Sequence, residues 1–503
     1  MNRKFYLPLK FLVIFVVLCA GGYFYLHYEV SKNYGVPLDD HNFVILKDNK
    51  FFHNDEVFFP IALNYIVALN IDGSKLWVSP SHDYVDVESD SYSNRDSALK
   101  HLQADMDLIK QSGFNTVRVV GIGEMKVHDY QTGELKFPAR TPDGKEEFLY
   151  LMKNNNQQRY FEALEELFKI AEKSGLKIIF LNKMLPDVNT TEKHLKELAY
   201  YFRADTCILA YDLFNEPLYF DLTLRPKQAV YKVTNRWKNI IRNYAPNHLV
   251  TIGLVGIREV FAWDPNIVNV DFISFHPYEH EPEQVRNEIL WYQKYVNKPW
   301  IIGETAIPAD NDSVSYDLQQ EFAKNAIKQS VSCGAIGFSW WQFKDVRWAE
   351  FHASFMGIYT REGETLLKNS NETVSGTAKP VINEFLNFNY SKSKGECVCL
   401  PNYYNYSMNT KFSVTGKIVD QDENPVEGAV ILAWNKDWTH SYHTITQKDG
   451  SFDVRSNYPF YHLRMSATNY TVIADDILPD TARVAGNGIP TISMGVKMIR
   501  KEF

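Results

Sequence analysis

The stretch from Cys207 to Tyr219, CILAYDLFNEPLY, constrains this chain more than any other. It opens as an apolar run, Ile208 to Leu213, of the kind a parallel sheet buries on both faces. It ends in Asn215-Glu216-Pro217, and Pro217 cannot continue a sheet ladder, so the strand stops there. A carboxylate at the mouth of a buried strand has little to offer packing, because acids are rarely buried without a partner. Taken alone, Glu216 could simply be a strand-end acid facing solvent. The pattern repeats, however. Pro299 to Ala306, PWIIGETA, is an apolar strand carrying Glu304 at its end. Val270 to Tyr278, VDFISFHPY, ends in His276 and Tyr278, and Gly334 to Gln342, GAIGFSWWQ, ends in Trp340 and Trp341. A parallel α/β barrel builds its site from the C-terminal ends of successive strands in this way.

Two carboxylates, an imidazole, a phenol and an indole at one rim suit the cleavage of glycosidic bonds. The set resembles glycoside hydrolase clan A, and most of all family 5, which holds cellulases and mannanases. Asn215-Glu216-Pro217, His276-Pro277-Tyr278, Gly303-Glu304 and Trp341 carry the resemblance, with SGFNTVRVV, Ser112 to Val120, matching the family's second strand and its arginine, Arg118. It covers roughly residues 40–390. It implies a retaining hydrolase of a β-linked polysaccharide or oligosaccharide, of the β-glucan or β-mannan class, with no cofactor and no metal. Glu216 would be the acid/base and Glu304 the nucleophile. Arg118 would hold Glu304 ionised, Tyr278 would donate to it, and Asn215 would hold the sugar 2-hydroxyl. His276 would orient its neighbours, and Trp341 would floor the subsite of the cleaved sugar. Asn64, at the end of the first candidate barrel strand, joins the supporting set. One position departs from the family: the histidine common after strand three is Asn182 here, in FLNKML. A carbohydrate-binding envelope protein that no longer catalyses, or a transglycosylase, would use the same barrel.

Strand and helix alternate through the region. Strands are predicted at Phe58–Tyr65, around Arg118, and at Leu176–Asn182, Cys207–Asn215, Leu249–Val255 and the three already named. Helices are predicted at Ser97–Ser112, Tyr160–Ser174, Thr191–Arg203, Ala229–Asn243, Pro282–Val296 and Asp317–Ser332 from their apolar period. Eight strands with intervening helices make a (β/α)8 TIM barrel at 40–390. Phe43 to Pro60 reads as a hairpin capping the barrel's bottom, and Ile71 to Arg95 as a long loop over the site.

Beyond a linker at 391–410, residues 411–503 change to short alternating strands with Asp-Gly and Asn-Pro turns. They resemble the carboxypeptidase regulatory-like β-sandwich, through Gly416, Pro425-Val426, Gly428-Ala429 and Asp449-Gly450-Ser451-Phe452; an accessory role in spacing or adhesion is implied. At the other end, Arg3, Lys4 and Lys10 precede an uncharged run, Phe11 to Leu26. It reads as a signal anchor or transmembrane segment within residues 1–30, a cleaved secretory signal being the alternative. The basic residues lie before it, which predicts a membrane-anchored protein with its catalytic domain exported. A net charge of −8 gives no basic footprint and argues against nucleic acid as a partner. The five cysteines are too few for a disulfide scaffold. Cys207 and Cys333 are expected to be small buried hydrophobes, and Cys397 and Cys399, close together in the linker, lack the further ligands a metal site needs.

Overall fold

The computed structural model describes residues 42–81, 94–279, 281–346, 350–368, 370, 372–406, 411–476, 483–484 and 489–500. The predicted anchor, Phe11 to Leu26, lies outside them. Among the described residues no helix is long and apolar enough to cross a membrane.

Eight parallel strands close into a barrel: β1 (Ile61–Asp72), β2 (Thr116–Val120), β3 (Lys177–Leu181), β4 (Ile208–Asn215), β5 (Leu249–Leu254), β6 (Ile273–Phe275), β7 (Trp300–Ile302) and β8 (Phe338–Trp340). Closure is a direct pairing of β8 with β1, Phe338 against Ile61 and Trp340 against Leu63. The outer helices are α1 (Arg95–Gln111), α2 (Asn156–Lys173), α3 (Asn189–Tyr201), α4 (Lys227–Tyr244), α5 (Gln284–Tyr295) and α6 (Tyr316–Ser332). Their limits follow local chemistry. The Asn94 side chain accepts from the Asp96 and Ser97 amides to start α1, whose Leu102, Met106 and Ile109 turn inward at helical spacing. Gly113, at φ +96°, takes the left-handed backbone that ends it. Only a short 3-10 turn, Ile257–Phe261, stands between β5 and β6.

The segment Phe43–Pro60 caps the barrel's bottom as predicted, but as three short antiparallel strands, Ile45–Lys47, Lys50–His53 and Glu56–Phe58, and not a single hairpin. Val44 and Phe51 pack with Ile179, Leu209, Leu249 and Ile301, and Phe51 meets Phe272 edge-on at 5.1 Å. Three other expectations need correction. Asn64 is not at a strand end, because β1 runs on to Asp72. The extension pairs antiparallel with Lys75–Pro80, so the first part of the supposed loop from Ile71 to Arg95 is sheet; residues 82–93 lie outside the description. Three further strands, Lys126–Asp129, Glu134–Arg140 and Glu146–Tyr150, widen that sheet between β2 and α2. Finally, Cys333 is not a free hydrophobe but is disulfide-bonded to Cys397. The supposed linker folds back on α6: Gln329 donates to the Val398 carbonyl at 2.7 Å, and Tyr403 is buried.

Among the described residues from Phe412 to Lys497, eight strands form two four-stranded sheets. Val414, Ile418 and Val454 of one sheet meet Ile431, Ala433, Leu463 and Met465 of the other in a common core, the geometry of a sandwich. Its other face joins the barrel, since Val430, Leu432 and Ile445 belong to the barrel's own apolar cluster.

Candidate active site

Arg118 is the hub. It is fully buried on β2 and its donors are shared among four side chains. Nε donates to Asp212 Oδ2 at 2.9 Å, Nη1 to Asn64 Oδ1 at 2.9 Å, and Nη2 to Asn215 Oδ1 at 2.7 Å. Nη1 also contacts Glu304 Oε1. A planar guanidinium with five fixed donors can tie β1, β2, β4 and β7 together in this way; a lysine could not. Asn64 faces Arg118 across the β1–β2 ladder. Its amide nitrogen donates to the Gly303 carbonyl, Ser339 Oγ and the Trp340 carbonyl at 2.9–3.0 Å. Fully buried and so engaged, Asn64 locks the barrel beneath the site.

Glu216 stands at the first residue past β4, in left-handed backbone at φ 47°. His276 Nδ1 lies 3.1 Å from Glu216 Oε1 and 3.6 Å from Glu304 Oε1. The imidazole fits there because glycines stand on β5 and just past β7. A Cβ on Gly253 would sit 2.5 Å from His276 Cε1, and one on Gly303 would sit 2.8 Å from His276 Nε2. Burial pushes the imidazole down to about 4, so it is neutral and can donate from one nitrogen only. Tyr278 donates to Glu304 Oε2 at 3.2 Å, and burial holds its hydroxyl well above the ordinary phenol range. Trp341 is partly buried against Ile66, Val120 and Leu181 at the barrel mouth. Trp340 is core, its indole donating to the Met356 carbonyl at 2.9 Å. The sequence-derived residues therefore converge, with Asn64 in a supporting place beneath them.

The two glutamates differ in company. Burial pushes both carboxyls up. Glu304 has the guanidinium in contact and a phenol donor, which favour its charged form; Glu216 has a neutral imidazole. Asp212 already balances Arg118, so a second and third carboxylate in this space would be unbalanced. Charge therefore favours a proton on Glu216 over one on Glu304, which has the guanidinium in contact. The lone pairs of Glu216, His276 and Glu304 lie within 4.8 Å of one another, a spacing that could hold a metal ion. Arg118 already occupies the cation's place beside Glu304.

Two residues escaped sequence reading. Asp212 is an acid inside the apolar run CILAYDLFN, a signal that only its pairing with Arg118 explains. Glu259, on the 3-10 turn, accepts from the Leu218 amide at 2.9 Å and the Val255 amide at 3.4 Å, pinning the turn that follows Glu216. Burial pushes it up to about 8. Asn182, at the position that departs from the family pattern, is fully buried; its Oδ1 has no hydrogen-bond partner. Beside the site, Tyr278 also lines a cavity of about 850 Å³ walled by Ala306, Ile307, Phe322 and Met356, to which neither glutamate contributes.

The sequence profile described as Cellulase (glycosyl hydrolase family 5) matches residues 81–344, just over half of the chain. Solved structures that it is similar to include GH5_18 from Streptomyces cattleya in complex with GlcNAc, at 14% identity and TM-score 0.44, covering 72% of this chain and 84% of that one. Another is a family 5 mannosidase from Rhizomucor miehei, at 15% identity and TM-score 0.43, covering 70% and 97%. No curated protein matches the chain. The profile match ends before residue 411 and does not reach the C-terminal sandwich.

Proposed function

The chain belongs to the cellulase family, glycosyl hydrolase family 5, and from that premise we propose that it cleaves the β-linked bonds of a glucan- or mannan-class glycan with retention of configuration. One observation carries the stereochemistry. Oxygens of Glu216 and Glu304 lie within 4.8 Å of each other. Retaining enzymes hold their carboxyl groups about 5–5.5 Å apart, whereas inverting ones need about 6.5–9.5 Å to seat a water.

In this reading Glu304, kept ionised by Arg118 and Tyr278, attacks the anomeric carbon while Glu216 gives its proton to the leaving oxygen. Esterification removes the charge of Glu304. Glu216, no longer facing a carboxylate, then loses its proton more readily and activates water. Asn215 accepts from Arg118 through Oδ1, which leaves its amide hydrogens to face a sugar hydroxyl. Tyr219 and Phe220, exposed just past Glu216, extend the rim with aromatic faces suited to a glycan chain. The test is hydrolysis of a β-glucan and β-mannan oligosaccharide panel with the anomer of the first product read by NMR. A first product of inverted configuration would refute the mechanism; new glycosides without reducing sugar would make the enzyme a transglycosylase.

The same reading makes the enzyme exported and tethered through residues 1–30. The basic residues before Phe11 to Leu26 support it. So does the Cys333–Cys397 disulfide, since such bonds are rare in reducing cytosol. A mature N-terminus beginning past Leu26 would show a cleaved signal instead.

A further inference from the structure

Glu279 follows Tyr278 directly and belongs to a second polar cluster, with Glu288 on α5 and His443 on the sandwich strand Ser441–Ile445. One ligand atom from each lies within 4.8 Å of the others. His443 Nε2 and Glu279 Oε1 face each other at 3.5 Å, and neither has a hydrogen-bond partner although both atoms are buried. The Glu279 side chain is only 9% exposed. Tyr406, whose ring packs 4.9 Å from that of His443, adds a buried hydroxyl that also lacks a partner.

Charge does not close this cluster from within. Arg258 is near enough to act on both glutamates, but it makes no ion pair within 4.0 Å with either among the described residues, and its Nε is itself unpartnered. Glu288 is oriented from behind: Tyr292 donates to its Oε2 at 2.5 Å, and the Ile257 amide approaches at 3.4 Å. Two carboxyl groups and an imidazole, with Glu279 Oε1 and His443 Nε2 unpartnered and facing one another and Glu288 held by its own outer shell, form the donor set of a borderline cation. Ligand atoms about 2.0–2.2 Å from zinc in tetrahedral geometry lie roughly 3–3.5 Å apart, which the His443–Glu279 spacing meets.

We propose that Glu279, Glu288 and His443 bind one divalent cation of the zinc class, a structural site that clips the C-terminal sandwich to the loop carrying Tyr278. The rival is a proton shared by the two glutamates with no metal present. The full chain, purified without a histidine tag, would be stripped with a chelator, re-equilibrated with zinc and assayed by elemental analysis. About one zinc per chain is expected, with an upward shift of the thermal midpoint on reloading. Substituting cobalt should give visible d–d absorption of a nitrogen- and oxygen-ligated ion. His443→Ala and the conservative Glu288→Gln should each cut bound metal at least tenfold and abolish the midpoint shift. A folded wild-type protein holding less than a tenth of an equivalent would overturn the site in favour of the shared proton. So would variants that keep their metal. The wild-type measurement decides the matter even if a variant fails to fold.

Discussion

In the proposed mechanism Arg118 divides the labour between two chemically identical residues. Its guanidinium contacts Glu304 and not Glu216, which favours a shared proton on Glu216. Activity should therefore fall on the acid side as Glu304 takes a proton and on the alkaline side as Glu216 loses its own. Both carboxyls are pushed up by burial, so the whole profile should lie above the ordinary carboxylate range, as initial rates across pH would show. Glu304→Gln should lose more than about a hundredfold in rate, because covalent catalysis depends on that group. Glu216→Ala should lose far more on polysaccharide than in its first step on an activated aryl glycoside, whose leaving group needs no proton. Azide should then rescue the second step and give a β-glycosyl azide from a β-glycoside. Equal losses on both substrates, with no azide product, would remove Glu216 from the acid/base role.

Glu259 makes a separate claim at the same scale. Its carboxyl titrates near 8 when folded, against roughly 4.3 for a free glutamate. Between those values the folded chain holds a proton that the unfolded chain has released. This group's contribution to stability is thus intact below about 4.3 and is lost progressively as pH rises toward 8, by roughly 1.4 kcal/mol per unit. Glu259→Gln keeps the acceptor for the Leu218 amide and removes the titration. Denaturant unfolding at pH 5, 7 and 9 should show the variant losing several kcal/mol less than wild type over that range. Parallel declines would mean that Glu259 is ionised in the fold.

At the scale of elements, the catalytic strands were legible because they carry two signals at once, an apolar run and a polar residue where it stops. Asn64 was misplaced for a readable reason. The run IALNYIVALNI continues past it, and the hydrophobic residues after Asn64 already belong to the longer strand. The Glu134–Arg140 strand also left a trace, Leu135, Phe137 and Ala139 alternating as buried positions, but its sheet lies outside the barrel plan. The Cys333–Cys397 pair left none. The two residues are 64 apart, and only the fold-back over α6 brings them together. In the chain-entropy account a loop of that length gives about 4 kcal/mol. Cys397→Ser should accordingly lower the thermal midpoint, and dithiothreitol should bring wild type to the variant's value. A variant unfolding with the oxidised wild type would mean that the bond contributes nothing.

For the whole molecule the question is whether the sandwich is a passenger. The resemblance of residues 411–503 implies spacing or adhesion, and a spacer needs no common core with the barrel. Here Trp291 of α5 donates to the Gly428 carbonyl at 2.9 Å, and the ring of Tyr295 lies so near Gly428 that a Cβ there would come within 2.3 Å of it. Buried Lys227 bridges Asp264, at 2.8 Å, and the Ala467 carbonyl, at 2.9 Å, while the Asn469 amide donates to Asp264 at 2.9 Å. Val430, Leu432 and Ile445 complete the barrel's cluster. Burying three such side chains is worth about 1.5–3 kcal/mol each. A chain ending at residue 406 would strip this face, exposing Trp291 and taking a partner from both Lys227 and Asp264. Calorimetry should show one cooperative transition for the full chain and, for the truncated barrel, a lower midpoint with loss of soluble yield. A passenger module would behave otherwise, with two separate transitions in the full chain and the barrel's unchanged by truncation. That result would detach the sandwich from the stability of the catalytic domain, and with it the interface on which the Glu279–Glu288–His443 cluster depends.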